Sequence, residues 1–113
     1  VGDGHPSNWP FPDGSCSDQH DYSATNTGCG WVHHNEDSYY IMPDADLMNA
    51  DLTNAHLTGA DLMNADLRGV YLWSANLSGA DLNDADLDSV KADSRTICPN
   101  GKPWGTAGNN CPF

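Results

Sequence analysis

The chain has 113 residues and a formal charge of −12, opposed only by Arg68, Lys91, Arg95 and Lys102. Holding nucleic acid means neutralising phosphates with cations, so nucleic acid is excluded as a partner, and an anionic membrane surface with it. No apolar run reaches membrane-spanning length, and one domain is expected.

The chain begins at Val1 rather than Met, which is read as a mature chain whose export signal has been removed. The expected location is therefore secreted or extracellular, at the cell surface or in the periplasm. Residues 1–39 are rich in Gly, Pro, Ser, Asn and Asp yet contain Trp9, Phe11, Tyr22, Trp31 and Tyr39. A disordered tail lacks such aromatics. The segment is read as an irregular cap over one end of the remaining chain.

From Ala45 to Ser89 the chain repeats one five-residue phrase nine times: ADLMN, ADLTN, AHLTG, ADLMN, ADLRG, VYLWS, ANLSG, ADLND, ADLDS. The middle position is invariant: Leu47, Leu52, Leu57, Leu62, Leu67, Leu72, Leu77, Leu82 and Leu87. Two residues earlier stands Ala, or Val at Val70. Such self-similarity decides the fold before any local propensity does. On a helix, leucines five apart fall about 140° apart and leave no stripe. On a continuous strand an odd period sends successive leucines to opposite faces. The pattern works if each pentad is a short extended piece followed by a turn, with Ala and Leu sharing the inner face. The fifth residues, Asn49, Asn54, Gly59, Asn64, Gly69, Ser74, Gly79, Asp84 and Ser89, are all turn formers tolerant of left-handed backbone. Four right-angle turns close a square coil, so residues twenty apart superimpose.

The Ala-Asp/Asn-Leu-x-x tandem resembles the pentapeptide-repeat family. That resemblance implies an all-β, right-handed quadrilateral β-helix. Weaker pentads flank the nine: Tyr40–Asp44 with Met42 in the Leu slot, Val90–Ser94 with Ala92, and Arg95–Pro99 with Ile97. The domain reading is residues 1–39 as cap, 40–97 as solenoid and 98–113 as a C-terminal loop. The inner columns are then Leu47/Leu67/Leu87, Leu52/Leu72, Leu57/Leu77/Ile97 and Met42/Leu62/Leu82. About three stacked units are needed for such an array to stand alone. A tract this short has to be closed by its termini, by another copy, or by both.

Outside the coil, Asp46, Asp66 and Asp86 form one column and Asp61 with Asp81 another. Carboxylate oxygens suit Ca²⁺, which makes Asp46, Asp66 and Asp86 the candidate cation ligands. The favoured reading is that these residues solubilise the wall and bond local backbone, with no cofactor. The departing pentad, VYLWS, displays Tyr71 and Trp73, and Met48 and Met63 occupy the same outward slot as Trp73 on other walls. Exposed aromatic surface signifies contact, so these four form the candidate interaction patch, with another copy, a protein or a glycan as partner.

Cys16 and Cys29, and Cys98 and Cys111, are spaced alike, each pair beside a Pro-Asx-Gly turn. An even count in a short, loop-rich, exported chain reads as disulfides. Three connectivities are open. The local pairing Cys16–Cys29 and Cys98–Cys111 is preferred because each loop then lies outside the solenoid. Cys16, His20, Cys29 and His33 form a zinc alternative, and His33 and His34 are otherwise surface or packed residues. Thr96-Ile97-Cys98-Pro99-Asn100-Gly101 resembles the ending of many exported bacterial pentapeptide-repeat proteins, and Asn76-Leu77-Ser78 fits a glycosylation acceptor.

No phosphate loop, dinucleotide motif, nucleophile elbow or HExxH pair is present, and no enzyme is expected. The functional reading is a structural extracellular solenoid that self-associates end to end, as a fibre or surface layer. The alternative is a secreted binding module presenting an acidic wall and the Tyr/Trp patch. A DNA-mimic inhibitor, which the resemblance also brings, belongs to members that are longer, cytoplasmic and free of cysteine staples.

Overall fold

The computed structural model describes residues 21–22, 29–34 and 36–105. Among them there is no helix. Seven parallel bridges tie each coil to the next: Asp46↔Asp66, Asp51↔Tyr71, His56↔Asn76, Asp61↔Asp81, Asp66↔Asp86, Tyr71↔Lys91 and Asn76↔Ile97. The first six join residues twenty apart, four pentads to a full turn, so each pentad supplies one side of a four-sided coil. We number the walls by their lowest bridged residue: wall one at Asp46, wall two at Asp51, wall three at His56 and wall four at Asp61.

Seven leucines, from Leu47 to Leu77, are buried inside this coil with Ala45, Ala50, Ala60, Ala65, Val70 and Ala75. Small side chains at the second inner slot let opposite walls approach. Leu82 and Leu87, expected in the same core, are only partly buried, because among the described residues no coil lies above walls four and one.

The corners explain the fifth residue. Asp44, Asn49, Asn54, Gly59, Asn64, Gly69, Ser74, Gly79, Asp84 and Ser89 all take left-handed backbone, with φ between 60° and 73°. The amide after each of these corners donates back to the carbonyl three residues earlier, as Ala50 N–H does to Leu47 O at 2.9 Å. This is the pattern of a type II turn. At Gly69 a Cβ would also meet Asn49 Oδ1 from the coil below, the far end of an exposed side chain that can turn aside. Ser89 bears the opposite strain. Left-handed backbone costs an L residue about 1–2 kcal/mol, and glycine's extra unfolded-state freedom costs about 0.5–1. Ser89→Gly is therefore expected to stabilise the fold by up to about 1 kcal/mol, raising Tm by several degrees in a thermal melt, whereas β-branched Ser89→Val lowers it.

Three sequence expectations need correction. The cap read as irregular through residue 39 contains a hairpin: β1 (Gly30–His34) and β2 (Asp37–Ile41) pair antiparallel, Trp31 opposite Tyr40 and His34 opposite Asp37, and β2 runs past the boundary at residue 40. β-branched and aromatic residues favour this state, and Gly30 is required because Tyr22 backbone lies where its Cβ would sit. Tyr40, Ile41 and Met42 are fully buried in the same core as Leu47 and Leu52. The hairpin thus continues directly into the coil and closes its N-terminal mouth.

The second correction concerns register. Asn76 bridges Ile97, twenty-one residues on, so the last turn carries one extra residue. Ile97 faces outward and half-buried, while fully buried Cys98 takes the leucine slot above Leu57 and Leu77, and fully buried Thr96 takes the alanine slot. The third concerns the end of the coil. Pro99 still belongs to the ladder, its carbonyl accepting from Gly79 N–H at 2.9 Å. The chain then turns back, with Pro103 antiparallel to Ile97.

Candidate binding site

In the pentad 65–69, with a coil on either side, every amide has an acceptor. Around wall one, Leu47 N–H bonds Asp66 O, Asn49 N–H bonds Arg68 O, Ala50 N–H bonds Leu47 O and Asp66 N–H bonds Ala45 O, all at 2.8–2.9 Å. The residue after each leucine turns outward and finds no carbonyl in line. Its amide is taken by the side chain two residues earlier: Asp46, Asp51, Asp61, Asp66, Asn76, Asp81 and Asp86 accept from residues 48, 53, 63, 68, 78, 83 and 88 at 3.0–3.4 Å. This Asx bond accounts for the Asp/Asn preference. The wall carboxylates thus do bond local backbone.

The candidate cation column already has a cation of its own. Arg68 grips Asp66 with two bonds, Nε–Oδ1 at 2.8 Å and Nη2–Oδ2 at 2.7 Å, and its Nε lies 3.8 Å from Asp86 Oδ2. The Arg68 hydrogen bonds hold the Asp66 carboxyl below its usual range. At Asp51 burial pushes upward, but bonds from Thr53 and the His34 imidazole leave it lowered on balance. Among the described residues no group of three or more His, Cys, Asp or Glu is placed to hold a metal ion.

At the extra residue, Asp93 repairs the ladder. Its Oδ1 accepts from Ser74 N–H at 3.1 Å, Arg95 N–H at 3.0 Å and Thr96 N–H at 3.1 Å. In a regular turn the Ser74 amide would meet a backbone carbonyl, as Asn54 N–H meets Trp73 O. The bond from Ser74 leads the causes that lower the Asp93 carboxyl. The sign of the pH effect is then fixed: carboxyls depressed in the fold contribute fully above the ordinary value of about 3.8 and lose that contribution as pH falls through their lower folded values. Thermal stability is expected to hold steady from neutral pH to about 4 and to fall below it. A decline already complete by about pH 6 would show that these carboxyls do not cause it.

On wall two, Tyr71 and Trp73 lie together, ring centroids 5.2 Å apart at 49°. Lys91 Nζ sits 4.8 Å from the Tyr71 ring centroid, a cation–π contact that ties this coil to the next. Trp73 is the one large apolar side chain exposed among the described residues, at 43%. Met48 and Met63 are half-buried on walls one and four, so the four patch candidates do not form one surface.

Sequence reasoning missed a pocket between hairpin and coil. A cavity of about 350 Å³ is lined by Tyr22, Trp31, His34, Thr53, Asn54 and His56, with Asp21 and His33 at its edge. Tyr22 hydroxyl donates to Thr58 O, and Trp31 meets Tyr40 edge-on at 5.1 Å. His34 Nε2 lies 3.1 Å from Asp51 Oδ2. Both ring nitrogens of His33 are engaged, Nδ1 with Ser38 Oγ at 2.8 Å and Nε2 with Asp21 Oδ1 at 2.9 Å, which counts against the zinc reading. Cys16 and His20 lie outside the described residues. His56, standing where the repeat places Asp, was the available sequence signal.

Among the described residues no cysteine is a free thiol. Cys16 and Cys111 fall outside those residues, as does any bond they make.

A four-sided coil of five-residue sides, aliphatic within and Asx-bonded without, defines a class of protein. The family described as pentapeptide repeats matches in eight copies, over residues 41–69 and 65–92. On this array the chain belongs to the pentapeptide-repeat family, whose fold is the right-handed quadrilateral β-helix. It is also similar to the crystal structure of a pentapeptide repeat protein, Rfr23, from the cyanobacterium Cyanothece 51142. Identity there is 32% over 49% of this chain and 44% of that one, with a TM-score of 0.24. The chain thus spans less than half of that protein's length. No curated protein matched.

Proposed function

We propose that this is a non-enzymatic, extracellular structural solenoid that self-associates through its C-terminal mouth. One observation carries the reading. Leu82, Ala85, Leu87 and Val90 are only partly buried at the last rung, and among the described residues no strand pairs with walls four and one above it. Open ladder edges beside partly buried aliphatic side chains invite a second strand. The N-terminal mouth is closed by the hairpin, so copies meet mouth to mouth as a closed two-fold pair, the unit from which any larger layer would be built. Local disulfides, Cys16–Cys29 and Cys98–Cys111, staple the two ends and imply an oxidising compartment. Mass spectrometry with and without reduction before alkylation tests them.

The rim of that mouth carries Asp81, Asp84, Asp86 and Asp88, which repel their counterparts. Screening shortens from about 10 Å at 0.1 M salt to about 3 Å at 1 M. Sedimentation velocity is therefore expected to show a dimer that strengthens with salt, and Leu87→Lys is expected to abolish it while leaving the circular dichroism unchanged. A strictly monomeric chain at millimolar concentration and high salt would end this reading.

A further inference from the structure

The geometry points to a binding site for a neutral saccharide, formed by the hairpin pocket and the Trp73 shelf beside it. The two are adjacent: Thr53 and Asn54 line the pocket, and Asn54 N–H bonds Trp73 O at 2.9 Å one rung above. One rung is about 4.8 Å, close to the length of one pyranose unit. The pocket, at about 350 Å³, sits at the small end of the ligand-pocket range of about 300–1,000 Å³ and suits a single ring. A second ring then falls on the exposed indole.

The ligand's chemistry is set by the lining. A net charge of −12 excludes an anion. The polar groups exclude a purely apolar ligand, which would leave them unpaired. Asp21 Oδ1 and Asp51 Oδ2 are already held by the His33 and His34 imidazoles at 2.9 and 3.1 Å, so those two oxygens are not open to a cation, and tetra-arginine serves as the control for one. What remains is a neutral molecule with many hydroxyls and an apolar face. Asn54, Thr53 and His56 supply both donors and acceptors, and Tyr22, Trp31 and Trp73 supply flat aromatic surface. The cost of the VYLWS pentad also finds a reason. Tyr71 carries no Asx oxygen for the amide of Trp73, so this wall gives up a backbone bond and gains a displayed indole.

The test is titration of the whole chain, below its association range, with cellotetraose, chitotetraose and mannotetraose, read by tryptophan fluorescence and calorimetry. At least one tetrasaccharide is expected to bind at millimolar affinity or better, and its monosaccharide more weakly. Trp73→Ala, at an exposed position, is expected to weaken the tetrasaccharide about tenfold while leaving the monosaccharide unchanged. His56→Ala is expected to weaken both. Silence from all three tetrasaccharides with the fold intact would overturn the proposal, as would binding of tetra-arginine in their place or unaltered binding by both variants.

Discussion

Leu67→Ala is expected to lower the unfolding free energy by about 3 kcal/mol. Leu67 is 2% exposed and stands in the middle of a column, with Leu47 below and Leu87 above. The walls on either side are fixed by hydrogen bonds from Asp66 N–H to Ala45 O and from Leu67 N–H to Asp86 O, both 2.8 Å. They cannot collapse onto the space a shortened side chain leaves, so the loss should lie in the middle of the about 2–5 kcal/mol range for buried leucines. A small domain holds only about 5–15 kcal/mol in total. Denaturant melts should therefore show a large drop in midpoint with the slope nearly unchanged. Leu87→Ala, in the same column but only partly buried, should cost clearly less. Equal losses at the two positions would mean that Leu87 is as fully enclosed as Leu67, contrary to the packing described.

Thr96→Val is expected to cost about 1–3 kcal/mol, although it keeps the volume of a fully buried side chain. The Thr96 hydroxyl donates to Leu72 O at 2.6 Å and accepts Asp93 N–H at 3.1 Å. Valine leaves the Asp93 amide without that partner at the point where the ladder changes register. Thr96→Ser keeps the hydroxyl, loses one methyl, and should cost less than Val. The reverse ranking would show that packing rather than hydrogen bonding holds the last turn. Equilibrium melts of the three proteins in one buffer distinguish the cases.

Legibility differed between parts of the molecule for physical reasons. The coil could be read because its period is odd and its inner slots are occupied by only a few residue types; Leu47 and Leu67 must share a column once a turn follows every fifth residue. The corner residues were legible for the same reason, as positive φ restricts what can stand there. The slip at Ile97 arose because one inserted residue leaves composition intact. The buried threonine at position 96, standing where alanine stands elsewhere, was the available clue, and it becomes decisive only once Asp93 is seen bonding three amides. The hairpin was missed because Gly30 and the aromatics around it read as loop composition, and its register depends on contacts with the first coil rather than on local pattern. The pocket was not legible at all. It joins Trp31 to His56 across twenty-five residues of chain, through the way the hairpin crosses the coil.

The Asx bond has a consequence for how such a surface can change. In a regular pentad the alanine and leucine fill the interior, the fifth residue makes the corner, and the Asp or Asn secures the outward-turning amide. Only the residue after leucine has no part in the frame, and it is occupied by Met48, Thr53, Thr58, Met63, Arg68, Trp73, Ser78, Asn83 and Asp88 in turn. The chain therefore carries a grid of freely rewritable sites, one for each side of the prism on every storey, on which new chemistry can be installed without renegotiating the architecture beneath it.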